Sequence, residues 1–351
     1  MNNTPATSLA LWLQRQATAL LQQRGHAWLL QGPSGLGQWD LALTLAQAWL
    51  CEQPQDNALP CGQCPSCHGI AARTHADVCV LMPEVQMLAL GWPLDEKTQK
   101  DLDDKKRKPS KEIRIEGMRA AVEFSQRTSS RNRGKVVLVY PAERMNAITA
   151  NALLKTLEEP PGDTRFVLAS EAAHALLPTI RSRCLGHVMH WPETAEALTW
   201  LQGQGMDATQ APVLLAAAGG RPQDALDLAQ SGVDAARWQQ LPRAAAAGHT
   251  EAFAACTPAQ LIGILQKICH DLLALKAGAQ PRFFDADSLP AVPALPSVRK
   301  LSQWNQALVQ AARTCEHPYA QALFVEDLLT QARSALAATA PHKKPEFANF
   351  G

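Results

Sequence analysis

The sequence predicts an α/β fold: a doubly wound parallel sheet toward the N-terminal end, then helices alone. Three observations carry this. Short apolar runs alternate with segments of helical periodicity across residues 26–170. A glycine loop, GPSGLG (32–37), stands between one such run and a helix. From about residue 192 the strand signal fades and helical patterns remain.

Taken in order, residues 7–24 (TSLALWLQRQATALLQQR) place apolar side chains at helical spacing. HAWLLQ (26–31) is a short apolar run ending in the glycine loop, and residues 39–50 return to a helix. DVCVLM (77–82) is a second strand. Residues 94–112, LDEKTQKDLDDKKRKPSKE, form a dense charge run, read as a solvated surface insertion. Its interspersed acids make nucleic-acid contact the weaker reading. Residues 115–128 are helical, and KVVLVY (135–140) is a third strand. AITANALLKTLEE (147–159) is a helix stopped by Pro160 and Pro161. TRFVLAS (164–170) is the fourth strand. Beyond it, GGRPQDALDLAQ (219–230) starts a helix after a Gly-Gly turn, and residues 280–298 are a proline-studded linker or long loop. Two amphipathic helices, 301–315 and 319–337, precede a loose tail at 341–351.

A chain of 351 residues has room for two or three domains, and with 46% apolar residues it can bury a sizeable core. A net charge of +1 excludes a protein that coats nucleic acid by charge alone. The N-terminus lacks a basic n-region and a cleavage site, and no apolar run is long enough to span a bilayer. The expected location is the cytoplasm, with no membrane partner.

Of nine cysteines, four fall at Cys51, Cys61, Cys64 and Cys67. Thiolates at two-residue spacing converge on one tetrahedral zinc, with a fourth from further away. Disulfides are the alternative, but Cys61, Cys64 and Cys67 stand too close together for simple pairing in a reducing compartment. His68 and His75 are substitute ligands or ordinary surface histidines. Four cysteine ligands leave no open position for water, so the zinc is expected to be structural. Cys79, Cys184, Cys256, Cys269 and Cys315 are scattered and read as core thiols.

The glycine loop carries a contradiction. Gly32 and Gly37, with Gly35 between them, have the spacing of a phosphate-binding loop, but Gln38 and Trp39 stand where lysine and a hydroxyl residue belong. That lysine neutralises the outer phosphates, and the hydroxyl holds magnesium. Gln38 carries no charge, and Trp39 cannot ligate a cation. By themselves the glycines are turn chemistry or the remains of a nucleotide site. The strand KVVLVY ends in Tyr140-Pro141 where a magnesium-holding acid is needed, and Glu143 lies past its end. The three losses together argue against hydrolysis and against ATP in this chain's own site. In TIRSRCLGHVMH (179–190), Arg181 and Arg183 follow a strand and a short helix. Exposed arginines form salt bridges, or, at the edge of such a domain, reach a neighbour's triphosphate.

NALLKTLEEPP (151–161), the SRC triplet (182–184), the four-cysteine insert and GGRPQDAL together resemble bacterial clamp loader subunits. The lesions in GPSGLGQWD and VLVYPAE are similar to those of the delta prime family of DNA polymerase III. The resemblance runs over most of residues 10–235; in the C-terminal helices only length and helical character match. It implies a RecA-like AAA+ domain with a zinc insert (1–190), a helical lid (191–240) and an all-α collar (241–340) that joins five subunits in a ring. It also implies a stator, inactive as an isolated chain, that is one component of the DNA polymerase III holoenzyme. Arg183 would be the arginine finger for the ATP site of an adjacent gamma or tau subunit. Arg221 stands at the lid's sensor position, as a relic or a helix-start charge. The implied partners are gamma/tau and delta, with the sliding clamp and primed DNA reached through the complex. An active gamma/tau-type ATPase is the alternative, opposed by Gln38, Trp39 and Tyr140. A zinc-dependent DNA-binding protein is a third reading, opposed by a cysteine segment without lysine or arginine. A nucleotide kinase would need the missing lysine.

Overall fold

Five strands make one parallel sheet: β1 (Ala27–Gln31), β2 (Val78–Leu81), β3 (Lys135–Val139), β4 (Thr164–Ser170) and β5 (Leu185–Val188), in the order β2-β3-β4-β1-β5. The computed structural model describes residues 9–55, 57–289, 295–315 and 321–337, so the expected tail at 341–351 lies outside the described residues. The chain divides into two units, Met1–Glu196 and Ala197–Gly351.

In the first unit, β3 is buried along its whole length, as a continuous apolar run in the middle of a parallel sheet should be. Even Lys135 is buried, its ammonium donating to the Phe124 carbonyl at 2.6 Å. Register sets Leu29 between Leu168 and Gly186, and Phe166 between Ala27 and Val137. The helices are α1 (Leu11–Leu21), α2 (Gln38–Leu50), α3 (Pro65–Ala71), α4 (Glu84–Ala89), α5 (Glu96–Asp103), α6 (Ile115–Gln126), α7 (Ala147–Glu158) and α8 (Pro178–Arg181). Leu153 and Leu157 of α7 and Met118 and Ala121 of α6 pack with Val137, Phe166 and Leu168 in one core. α7 starts where Asn146 accepts from the Thr149 N–H, and ends before Pro160, which has no N–H to continue it.

β5 is a strand the sequence reading did not separate from its surroundings. It is four residues long, contains Gly186 and His187, and pairs with β1. The charge run is more ordered than an irregular insertion. Asp95 caps α5 by accepting from Thr98 N–H, and no residue of α5 is buried. Its flank is tied down at Glu84, which accepts from Arg107 (2.9 Å) and the Ser110 N–H (2.8 Å) and pairs with Arg114 (3.3 Å).

In the second unit no strand occurs among the described residues. Its helices are α9 (Thr194–Gly203), α10 (Ala211–Ala217), α11 (Pro222–Gln230), α12 (Ala235–Ala247), α13 (Pro258–Lys276), α14 (Val298–Thr314) and α15 (Gln321–Leu336). One buried cluster gathers Ala197, Leu201, Leu214 and Ala225; a larger one gathers Trp238, Leu265, Ile268, Leu301 and Leu328. α13 opens with Pro258 at its first position and a reciprocal capping box between Thr257 and Gln260. The expected linker is anchored in its first part. The fully buried Asp271 carboxylate accepts from the N–H groups of Arg282, Phe283 and Phe284 at 2.8–2.9 Å.

Candidate functional site

The glycine loop runs from the end of β1 to the start of α2, at the carboxyl edge of the sheet where doubly wound folds bind ligands. Gly37 caps α2 with φ +92°, and a Cβ there would lie 2.6 Å from Leu13 Cδ1, so glycine is required. Gln38 is buried and turned back into the loop. Its Nε2 donates to the carbonyls of Gly32 (2.9 Å) and Pro33 (2.6 Å). Trp12 Nε1 donates to the Leu36 carbonyl at 3.2 Å. Three loop carbonyls thus bond to uncharged side chains of this chain.

Beside the loop, aromatic rings fill the space. Trp39 stacks on Tyr140 (centroids 5.6 Å, planes 26° apart), and Trp92 meets Trp39 edge-on at 5.8 Å. Tyr140 Oη donates to Glu171 Oε1 at 2.7 Å, and burial, then the Glu171 charge, push the phenol pKa up. Glu143, the acid past the end of β3, accepts from Ser170 Oγ at 2.7 Å and the Glu171 N–H at 3.2 Å. Trp92 was not foreseen as part of this site. It lies just ahead of the charge run, and no local pattern marks it.

The four cysteine sulfurs lie within 4.8 Å of one another, and they are the one metal-holding group of this kind among the described residues. Cys51 and Cys64 sulfurs are 3.9 Å apart, Cys61 and Cys67 4.0 Å. A tetrahedral zinc with bonds of about 2.3 Å needs sulfurs about 3.8 Å apart, so the set fits a four-thiolate metal. Backbone N–H groups point at the sulfurs: Cys61 at Cys51, Cys64 at Cys61, and both Glu52 and Cys67 at Cys64, at 3.3–3.4 Å. Burial opposes ionisation of Cys64, but the Cys67 and Glu52 N–H groups outweigh it and bring the thiol down to about 6. Burial pushes Cys51 and Cys67 up. Neither His68 nor His75 joins the cluster, and His75 Nδ1 accepts from the Asp77 N–H at 3.1 Å.

The insert is braced from outside. Glu52 accepts from Ser66 Oγ (2.7 Å) and Arg131 (2.5 Å). Asp77, almost fully buried, accepts from Ser129 and Ser130 hydroxyls and from the Ser130 and Arg131 N–H groups at 2.7–3.2 Å. Burial raises the Asp77 pKa, but these donors outweigh it and hold it below the ordinary carboxylate value. A depressed folded pKa contributes stability above the unfolded value, about pH 3.9, and loses it as pH falls through the lower folded value. Asp77→Asn is expected to cost about 1–3 kcal/mol near neutral pH, because buried donors lose their charged acceptor. Urea unfolding checks this, and the deficit should shrink toward pH 3.

Arg183 lies between α8 and β5, about one third exposed. Its Nε donates to Glu158 Oε1 at 2.6 Å and its Nη1 to the Thr179 carbonyl at 2.9 Å. Glu158 is the last residue of α7, so the NALLKTLEE motif supplies this arginine's partner, a link invisible in the sequence. Arg181, the last residue of α8, is exposed. In the second unit, Arg221 donates to the Ala218 carbonyl (2.8 Å) and pairs with Asp224 (2.9 Å).

Residues 11–191 match the family model described as DNA polymerase III, delta subunit. The DNA polymerase III subunit delta prime of Pseudomonas aeruginosa is 40% identical over 232 residues, covering 66% of this chain and 62% of the relative. This chain belongs to the delta prime family of DNA polymerase III. The subunit delta prime of Escherichia coli K12 is 35% identical over 208 residues, 58% of this chain and 54% of the relative. The matched region thus spans less than two thirds of either relative's length. A crystal structure of a DNA polymerase III gamma subunit-related protein from Thermotoga maritima aligns with 93% of this chain and 99% of that one, at 17% identity and a TM-score of 0.47. No helix among the described residues of this delta prime family member is long and apolar enough to cross a membrane.

Proposed function

We propose that this chain is a non-hydrolysing stator of the clamp loader of DNA polymerase III. It lends Arg183 as an arginine finger to the ATP site of a neighbouring gamma or tau subunit. Sliding clamp is thereby loaded onto primed DNA in the cytoplasm, with delta as a further ring partner. The observation that carries this reading is the loop itself. Gln38 spends its amide on the Gly32 and Pro33 carbonyls, and the Trp39–Tyr140 stack stands where phosphate and magnesium need charge and oxygen. A triphosphate placed here would lose water without gaining a cation.

Calorimetry of the purified chain with Mg-ATP is expected to show no binding. Micromolar binding would favour the active gamma/tau-type reading instead. Cys51, Cys61, Cys64 and Cys67 would hold one zinc, which on binding cross-links the insert and, with four ligands, takes no part in chemistry. We further assign residues 191–240 to a lid and 241–340 to a collar; the smaller buried cluster, around Leu201 and Leu214, lies wholly within the first range, while Ala217 and Trp238 of that range pack with the larger one.

A further inference from the structure

The helical unit contains a cavity of about 210 Å³ walled by α11, α12, α13 and the turn between the last two. Its apolar surface comes from Leu228, Val233, Trp238, Leu241 and Ile264. Two cations open onto it, Arg237 of α12 and Lys267 of α13. The Lys267 ammonium lies over the faces of Trp238 (5.2 Å) and Phe283 (5.7 Å), and no hydrogen-bond acceptor meets it among the described residues. Burial is the main reason its pKa falls to about 8; the nearby Arg221 charge acts the same way and Asp224 opposes it. Arg237 makes one long bond from Nη2, to the Ala252 carbonyl at 3.5 Å.

A second observation concerns the wall. Gly263 lies within α13, where glycine weakens a helix. A Cβ at this position would meet no heavy atom within 4 Å, so no packing demand explains the glycine. Its effect is to leave the cavity open. A cavity of roughly 150 Å³ in an apolar core accepts a benzene ring. This one is larger, and unlike an apolar void it has two cations, Arg237 and Lys267, in its lining.

We infer that this cavity binds a compact monocarboxylate with an aromatic or branched apolar body. The carboxylate accepts charge-assisted bonds from Lys267 and Arg237, and the body packs on Trp238, Leu241 and Ile264. The site shares no residue with the glycine loop or the cysteine cluster.

The probe is benzoate, with benzamide as its neutral isostere and inorganic phosphate as an anion without an apolar body. Each is titrated into the full chain and followed by calorimetry and ligand-observed NMR. Saturable benzoate binding is expected, with benzamide and phosphate at least tenfold weaker. Lys267→Met should weaken benzoate at least tenfold. Gly263→Leu places a side chain in open space and improves helix propensity, so it should fold at least as stably and lose binding. Three outcomes overturn the inference: no saturable benzoate binding at millimolar concentration, equal binding of benzamide, or unchanged benzoate affinity in Gly263→Leu. The last variant keeps the inference falsifiable even if Lys267→Met does not fold.

Discussion

In a reconstituted clamp loader, Arg183→Ala is expected to leave the ring assembled and to slow ATP turnover at the adjoining gamma or tau site by about 10³-fold or more. A guanidinium stays charged and forks onto phosphate oxygens, so it opposes the charge that builds up as the phosphoryl group transfers. Turnover is read at that one site by single-turnover kinetics, because the other sites of the ring hide the loss in a steady-state rate. Unchanged turnover removes Arg183 from the role. The structure adds a paired experiment. Arg183 rests on Glu158, and both side chains are substantially exposed. Such a pair contributes at most about 1 kcal/mol. Releasing the arginine therefore costs the complex little, and Glu158→Ala should hold turnover within about fivefold of the parent. A collapse as deep as that of Arg183→Ala would mean that the ion pair itself is what the neighbour needs.

The second large effect is expected at the cysteine cluster. Metal analysis of the purified chain should find one zinc, and Cys64→Ser should lose it. In small zinc-finger peptides the metal contributes about 10–16 kcal/mol of apparent binding free energy, which is also their folding energy. Here the insert is braced through Glu52, Ser66 and Arg131, so loss should unfold the insert rather than the sheet. Hydrogen exchange should show residues 51–71 losing protection while β3 and β4 keep theirs. A metal-free parent chain with the same exchange pattern as Cys64→Ser would remove zinc from the account.

Local chemistry was legible in the sequence where consecutive residues carry a strong pattern. KVVLVY reads as a buried strand because a central parallel strand has no solvent face, and the structure buries all of Lys135–Val139. The cysteine spacing foretold a cluster because the turn around Gly62 and the start of α3 bring neighbouring thiols together. Partners distant in the chain were not legible. Trp92 reaches Trp39 across 53 positions, and nothing around LGWPLDE signals that contact. Glu158 meets Arg183 only because α7 and α8 are neighbours in the fold. The proline-studded stretch looked like a linker because prolines and acids dominate it, but a single buried carboxylate, Asp271, organises its first residues. β5 was hidden because Gly186 and His187 break the apolar run and an edge strand needs less of one.

The inward turn of Gln38 bears on redesign. A lysine placed at this position and aimed at a phosphate would leave the carbonyls of Gly32 and Pro33 without their present donor, and Trp39 and Tyr140 would still fill the neighbouring volume. A single substitution is then a loss before it is a gain. The contacts act as a ratchet, and an engineer wishing to install a nucleotide pocket here would need several coordinated replacements at once.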